Sequence, residues 1–576
     1  MDGTEAAASP RGPVGPALAA WVRANRVPLL FALLLLAILP MRDLWAPDEP
    51  DFAQCVREMR ERGSWLLPYL NGQPYSEKPI LFYWLMKLSA MACERLTGGA
   101  GFTHGVSAWA LRLPSAAAAG GFLFAFRGWT ARFLDRDLGD LAATILATVP
   151  IWLLQAQMIQ TDMVFAALLA WSWLSWLGGW LILRGHASGR HSGRAWFLGA
   201  YAALALAFLA KGPLALALSL PLVLAFLLWQ RDLRALGRVR AGTGLLIGAV
   251  IVLPWYLAAC IQGGTAYAYQ MVVHQNFERA FKAWDHQQPP WRYVEYLAGD
   301  FAPWTLLLPA LALFLARGRA WRAPAQRFLI LAAAVPFLLL SLSQSKQGKY
   351  ILMIYPFLAL LLGTLLQRGA ASGFRIRRLG GLLAAGLALP GLALGAAAFL
   401  GAGGRYLQVQ VQPFLGPLRL LALLFLLGAA GVALRIRHGD GPALARVAAL
   451  ALGLVFLATG TWGFHRLDPL KSYRRWTAAA APLMAGHQVY YWQTIRSGVM
   501  VYTDHLMPEI RSRAGLDRLV GPDQRLVAME NEWDQDAWGM DPQARDQFEI
   551  LLRVPVGGGE ALLLRRRATL VSGSPQ

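Results

Sequence analysis

Charge is the first thing this chain lacks. Of its 576 residues, 15% are Asp, Glu, Lys or Arg, where a soluble chain carries about a quarter. That shortage excludes an ordinary water-soluble enzyme, and the 56% of apolar residues exclude a disordered chain. Cysteine is nearly absent. Cys55, Cys93 and Cys260 are scattered and lack CxxC spacing, so neither a disulfide framework nor a cysteine-zinc cluster is encoded. No GxxxxGK[ST] motif occurs, which removes a nucleotide P-loop, and no repeat of 20–50 residues is present. Acids number 33 against 54 basic residues, a net charge of +21. Nucleic acid would match that balance if the basic residues were clustered. They fall instead in short stretches between apolar runs, which is the mark of membrane topology.

What the chain has in quantity is apolar runs. Crossing a hydrocarbon core takes about 20 residues, somewhat fewer with snorkelling ends. Thirteen candidates are found, near 25–43, 107–126, 138–157, 163–183, 196–210, 213–230, 243–261, 298–316, 328–344, 350–367, 379–401, 415–434 and 444–464. The first has a short core, Val27 to Pro40, but no small-x-small cleavage site follows it. It reads as a retained helix with Trp45 at the interface. If the N-terminus is cytoplasmic, every second loop should be basic. Those loops (127–137, 184–195, 230–242, 317–327, 368–378 and 435–446) hold 21 arginines and no lysine. The intervening short loops hold only Lys211, Lys346, Lys349 and Arg405. The positive-inside rule therefore places the C-terminus outside, on the periplasmic side in a bacterium.

Residues 1–464 thus form a polytopic α-helical membrane domain, and two regions do not span. The first outer loop, 44–106, carries amphipathic stretches at 51–62 and 79–87 that read as interfacial helices. Residues 465–576 turn polar, and β-rich runs at Gln488–Gln493, Gly498–Thr503, Leu526–Met529 and Ala561–Leu564 predict a small soluble α/β domain.

The unusual polar residues all fall on the outer side: Asp48-Glu49, Tyr75-Ser-Glu77-Lys78-Pro79, Asp162, Lys211, the 274–292 segment and Ser343 through Tyr350. Ionisable groups beside hydrocarbon are costly and mark function. Asp48 and Asp162 each serve equally well as helix-start acids or as a pair that orients an attacking hydroxyl. Lys78, Lys211, Lys346 and Lys349 stand out in a chain that uses arginine almost everywhere. Singly they are solvated side chains; together they suit a phosphate, with the Tyr350 hydroxyl beside them. The His274–Tyr293 stretch, with His286 and Trp291, mixes rings and amides as a sugar site does, or as an interfacial aromatic belt does. His274 and Glu278, four apart, are a weak metal pair. ATP and nucleotide sugars are cytoplasmic, so an activated donor used outside must be lipid-borne.

These residues resemble a known family. Asp48-Glu-Pro-Asp-Phe-Ala, then Leu67-Pro-Tyr-Leu-Asn-Gly-Gln-Pro-Tyr-Ser-Glu77-Lys78-Pro-Ile-Leu-Phe-Tyr-Trp84, is similar to the opening loop of the bacterial lipid A aminoarabinose transferases. The likeness continues through Arg112-Leu-Pro-Ser115, Asp162-Met, Lys211-Gly-Pro-Leu, Pro254-Trp-Tyr, Phe277-Glu-Arg279, His286-Gln-Gln-Pro and Tyr350-Ile-Leu, over roughly residues 40–370. The Asp-Glu pair is shared with the wider GT-C superfamily, which includes protein O-mannosyltransferases. The resemblance implies a GT-C fold and an inverting transfer of aminoarabinose from undecaprenyl phosphate to lipid A at the periplasmic face of the inner membrane. It implies Asp48 as the catalytic carboxylate, with Asp162 beside it, and Lys78 and Tyr350 on the donor phosphate. Lys211, Lys346 and Arg279 would add positive charge, and Glu49, Tyr75, Glu77, His274 and His286 would line the substrate pocket. A divalent ion such as zinc would be held by Glu77 and His274. Asp51 stands where the family often has Arg. A protein or polysaccharide glycosyltransferase of the same fold is the first alternative. A lipid-linked glycan flippase is the second, disfavoured because its ionisable groups should sit near the bilayer midplane.

Overall fold

The computed structural model describes residues 14–187, 193–278, 287–317, 320–400, 414–493, 497–503, 506–533, 545–556 and 559–567. The chain is a multi-pass α-helical membrane protein. Among the described residues nine helices are long and apolar enough to cross a bilayer. Two bent pairs, Leu18–Ala24 with Arg26–Ile38 and Arg292–Asp300 with Trp304–Arg317, bring the number to eleven. Leu214–Gln230 is a shorter apolar helix of 17 residues. Every expected run is therefore helical, but thirteen uniform spans are not found. The run at 138–157 divides into Arg136–Leu146 and Pro150–Gln155. Pro150 supplies no N–H and disfavours helical geometry at Val149, which is extended.

Apolar periodicity does not tell lipid-facing helices from buried ones, because both are hydrophobic all round. The structure separates them: Thr161–Leu183 is largely interior, whereas Ala241–Ala268 lies at the periphery with Leu245, Val250, Leu257 and Ile261 exposed. Thr161–Leu183 packs closely on Gly193–Lys211. A Cβ on Gly179 would stand 3.0 Å from the Phe197 ring, so a larger residue there would have to push the ring away for the helices to stay this close. The two helices run antiparallel, which sets Asp162, at the start of one, beside Lys211, at the end of the other.

The first outer loop contains helices Asp48–Glu61 and Leu81–Thr97 and a small hairpin, Tyr69–Leu70 with Gln73–Pro74. The first helix does not lie open at an interface. Ala53, Cys55, Val56 and Met59 are fully buried, and Arg57 donates to the Met500 and Thr503 carbonyl oxygens at 3.0 and 2.6 Å. The C-terminal part thus covers it.

That part carries a five-stranded mixed sheet in the order Glu509–Ile510, Val489–Trp492, Arg525–Met529, Gly559–Arg566, Phe548–Val556. Three of the four expected strands are present. Gly498–Thr503 is not one: Ser497–Met500 is a helical turn whose carbonyls meet Arg57 rather than a ladder. The longest strand, Phe548–Val556, lies at an edge and was not among the runs expected from sequence.

Candidate active site

One cavity of about 560 Å³ lies where the 44–106 loop meets the ends of several spans on the same side. Asp48, Tyr75, Glu77, Lys78, Asp162, Lys211, Lys349 and Tyr350 all line it, so eight residues expected from sequence come together across some 300 positions of chain. Asp51, Gln160 and Gln275 join them.

Neither acid caps its helix. The N-cap of Asp48–Glu61 is Pro47 and that of Thr161–Leu183 is Gln160, both without a side-chain cap bond. The Asp48 carboxylate instead accepts from Gln160 Nε2 at 2.6 Å and from Lys349 Nζ at 3.2 Å. It remains 42% exposed to the cavity. Asp162 is buried, its carboxylate paired with the Lys211 ammonium, which also stands 4.4 Å above the Tyr350 ring. Each ammonium carries three N–H groups. Lys211 and Lys349 can thus hold a carboxylate and an incoming phosphate oxygen together. On the other wall, burial pushes the Tyr75 phenol well above its ordinary range, and the carboxylates of Glu77 and Asp51 push it further. Tyr75 is therefore a neutral hydroxyl in any physiological medium.

Three expected residues are placed differently. Glu49 does not line the cavity; it is buried in an ion pair with Arg42 (2.7 Å) and Arg112 (2.7 Å). It also accepts from the backbone N–H of Trp45 at 2.9 Å and of Ile159 at 3.1 Å. Burial alone would raise its carboxyl, but the Arg112 and Arg42 guanidiniums prevail and hold it down to about 2. Lys346 is also buried away from the lining, its ammonium donating to the Gln288 carbonyl at 3.1 Å and to that of Ser343. Its place in the cavity is taken by Lys349, three residues on, because the 3-10 turn Gly348–Ile354 aims that side chain inward. His274 is half-buried and lies outside the lining, although its neighbour Gln275 is part of it. Arg279 and His286 lie outside the described residues.

No group of three or more His, Cys, Asp or Glu side chains comes together as a metal site among the described residues. Glu77 and His274 therefore belong to no such group there.

Sequence reading missed Gln160 and the arginine pair. The available signal was Arg42 and Arg112, two arginines at the ends of apolar runs on the side where the short loops carry almost no arginine. Glu49, with its two guanidiniums, joins three segments. Arg42 also donates to the Gln157 carbonyl, and Arg112 to those of Arg42 and Asp43. The hub therefore fixes the loop before Asp48 against the turn that leads through Gln160 into the helix of Asp162.

The family model of the dolichyl-phosphate-mannose-protein mannosyltransferases matches residues 27–263. The crystal structure of ArnT from Cupriavidus metallidurans bound to undecaprenyl phosphate superposes with a TM-score of 0.75 at 20% identity, covering 97% of this chain and 100% of that one. An archaeal oligosaccharyltransferase, AglB from Archaeoglobus fulgidus, shares the fold more distantly, with a TM-score of 0.51, 11% identity, and 94% and 74% coverage. The fold is accordingly that of the GT-C membrane proteins. The undecaprenyl phosphate-α-4-amino-4-deoxy-L-arabinose arabinosyl transferase of Shewanella sediminis is 32% identical over 358 residues, 62% of this chain and 61% of its own. That of Pseudomonas aeruginosa is 33% identical over 382 residues, 65% and 64% of the two chains. This protein is a relative of those arabinosyl transferases, as its first outer loop implied, and the match spans about three fifths of the Shewanella relative's length.

Proposed function

We propose that this protein is an inverting glycosyltransferase of the bacterial inner membrane that moves 4-amino-4-deoxy-L-arabinose from undecaprenyl phosphate to a phosphate of lipid A at the periplasmic face. The observation that carries the reading is the single cavity in which two lysine-paired carboxylates, Asp48 and Asp162, stand among Lys78, Lys211, Lys349 and Tyr350. A phosphate leaving group needs cations placed where its charge grows, and Lys78 and Lys211 with the Tyr350 hydroxyl supply them. An acceptor oxygen attacks the anomeric carbon from the face opposite the leaving phosphate. The new C–O bond forms as the bond to the donor phosphate breaks, and undecaprenyl phosphate departs with the electron pair. Asp48, reachable from the cavity, orients the acceptor; a phosphate acceptor is already ionised, so positioning outweighs proton removal. The matches to arabinosyl transferases and the amino sugar they are named for support this donor.

A second reading, transfer to protein, is favoured by the match to the protein mannosyltransferase family over residues 27–263. One experiment separates the two. Purified protein is incubated with synthetic undecaprenyl-phosphate aminoarabinose or mannose, with lipid A and with an envelope protein extract, and products are identified by mass. Lipid A heavier by one aminopentose supports the proposal. Glycosylated protein with unmodified lipid A refutes it in favour of the second reading.

A further inference from the structure

We infer that Asp468, at the base of the C-terminal region, is a positioning residue for Asp48, and that this region therefore acts on the transfer step rather than only covering the site. The inference rests on the function proposed above. Asp468 opens the short helix Asp468–Lys471 that follows the last apolar run, and this helix packs against strand Phe548–Val556. Its Oδ1 accepts from the backbone N–H of Asp43 at 3.1 Å and from the indole N–H of Trp45 at 2.7 Å. Three residues on, the Lys471 carbonyl accepts from the backbone N–H of Ala46 at 2.9 Å. The Trp45 ring meets Phe464 edge-on at 5.4 Å, and Arg474 pairs with Asp43 at 3.2 Å. All these contacts fall on 43–46, the residues that deliver the chain into Asp48.

The loop needs them. On its inner side it is held by Arg112 and Glu49. On another side Pro40–Leu44 border a second cavity of about 310 Å³, lined also by Trp109, Asp468, Arg474 and Tyr502. On that side the loop meets an open pocket rather than packed side chains, and the hydrogen bonds from Asp468 and Lys471 hold it in place. Asp48 must hold its geometry closely, since a displacement of about 1 Å can cost about a hundredfold in rate.

The test uses the full-length protein in detergent with Asp468→Ala, Asp468→Asn and Trp45→Phe. An asparagine oxygen still accepts both N–H groups, so Asp468→Asn should keep most of kcat. Asp468→Ala should lower kcat by about 10- to 100-fold with KM for the donor unchanged. Trp45→Phe, which removes one donor but keeps the ring, should fall between. Hydrogen–deuterium exchange of residues 43–48 gives a readout independent of turnover: faster in Asp468→Ala, wild-type in Asp468→Asn. Wild-type kcat in Asp468→Ala, or Asp468→Asn as poor as Asp468→Ala, overturns the inference. If Asp468→Ala does not fold, Trp45→Phe decides by the same criteria. Should the wild type transfer none of the sugars offered, the proposed function fails, and unchanged exchange in Asp468→Ala would separately defeat the clamp.

Discussion

Glu49→Gln tests the buried hub behind the site. The carboxylate accepts from both guanidiniums and two backbone N–H groups, with Arg42 and Arg112 almost wholly enclosed. A glutamine keeps the shape, removes the charge, and turns an NH₂ group toward arginine donors. Breaking a buried pair in this way costs about 3–5 kcal/mol. Proton linkage gives the same scale. The carboxyl, ordinarily at 4.5, is held at about 2 in the folded chain, which corresponds to about 3 kcal/mol. Because the folded value lies below the unfolded one, this stability is fully present above pH 4.5 and is lost as pH falls toward 2. The assay is the denaturation midpoint of detergent-purified protein at several pH values. At pH 7 the variant should be less stable by roughly a hundredfold in the folded ratio, and the gap to wild type should close below pH 4.5. Equal midpoints at neutral pH, or a gap that does not narrow in acid, would refute the reasoning.

Other outcomes follow from the same geometry. Lys211→Met leaves the buried Asp162 without its cation, so transfer should fall at least about a hundredfold; a donor titration measures it. Lys346→Met should spare the donor KM because its ammonium is spent on carbonyl oxygens, whereas Lys78→Ala should raise it; equal effects would return Lys346 to the phosphate. The acids Asp51 and Glu77 face the cavity with Tyr75, so Asp51→Asn with Glu77→Gln should reduce preference for an amino sugar over its hydroxy analogue, read by competition between two synthetic donors. Gly179→Leu should destabilise the protein and lower transfer together, since the Phe197 ring and the Gly193 carbonyl leave no room for the side chain.

Much of this was legible in the sequence, for identifiable reasons. Long apolar runs report helices because a bilayer forces backbone groups to pair within the segment. The site lysines were visible because the loops between the other ends of the spans use arginine and no lysine. Glu49 was misplaced because an acid after Asp48 looks the same whether it faces a cavity or two buried arginines 7 and 63 residues away. Lys346 and Lys349 lie three apart, and only the turn Gly348–Ile354 decides which enters. Gln160 carries no charge and gave no signal. The contact of Asp468 with Trp45 joins residues 423 positions apart, and nothing in either local pattern announces it.

The most direct test of the account is single-turnover transfer from synthetic undecaprenyl-phosphate aminoarabinose to lipid A by wild type and Asp48→Asn, with donor binding measured on the same samples. Bound donor is expected in both and transfer in wild type, with Asp48→Asn slower by at least about a hundredfold. Wild-type transfer by Asp48→Asn, or lost donor binding with no separate effect on the step, would contradict it.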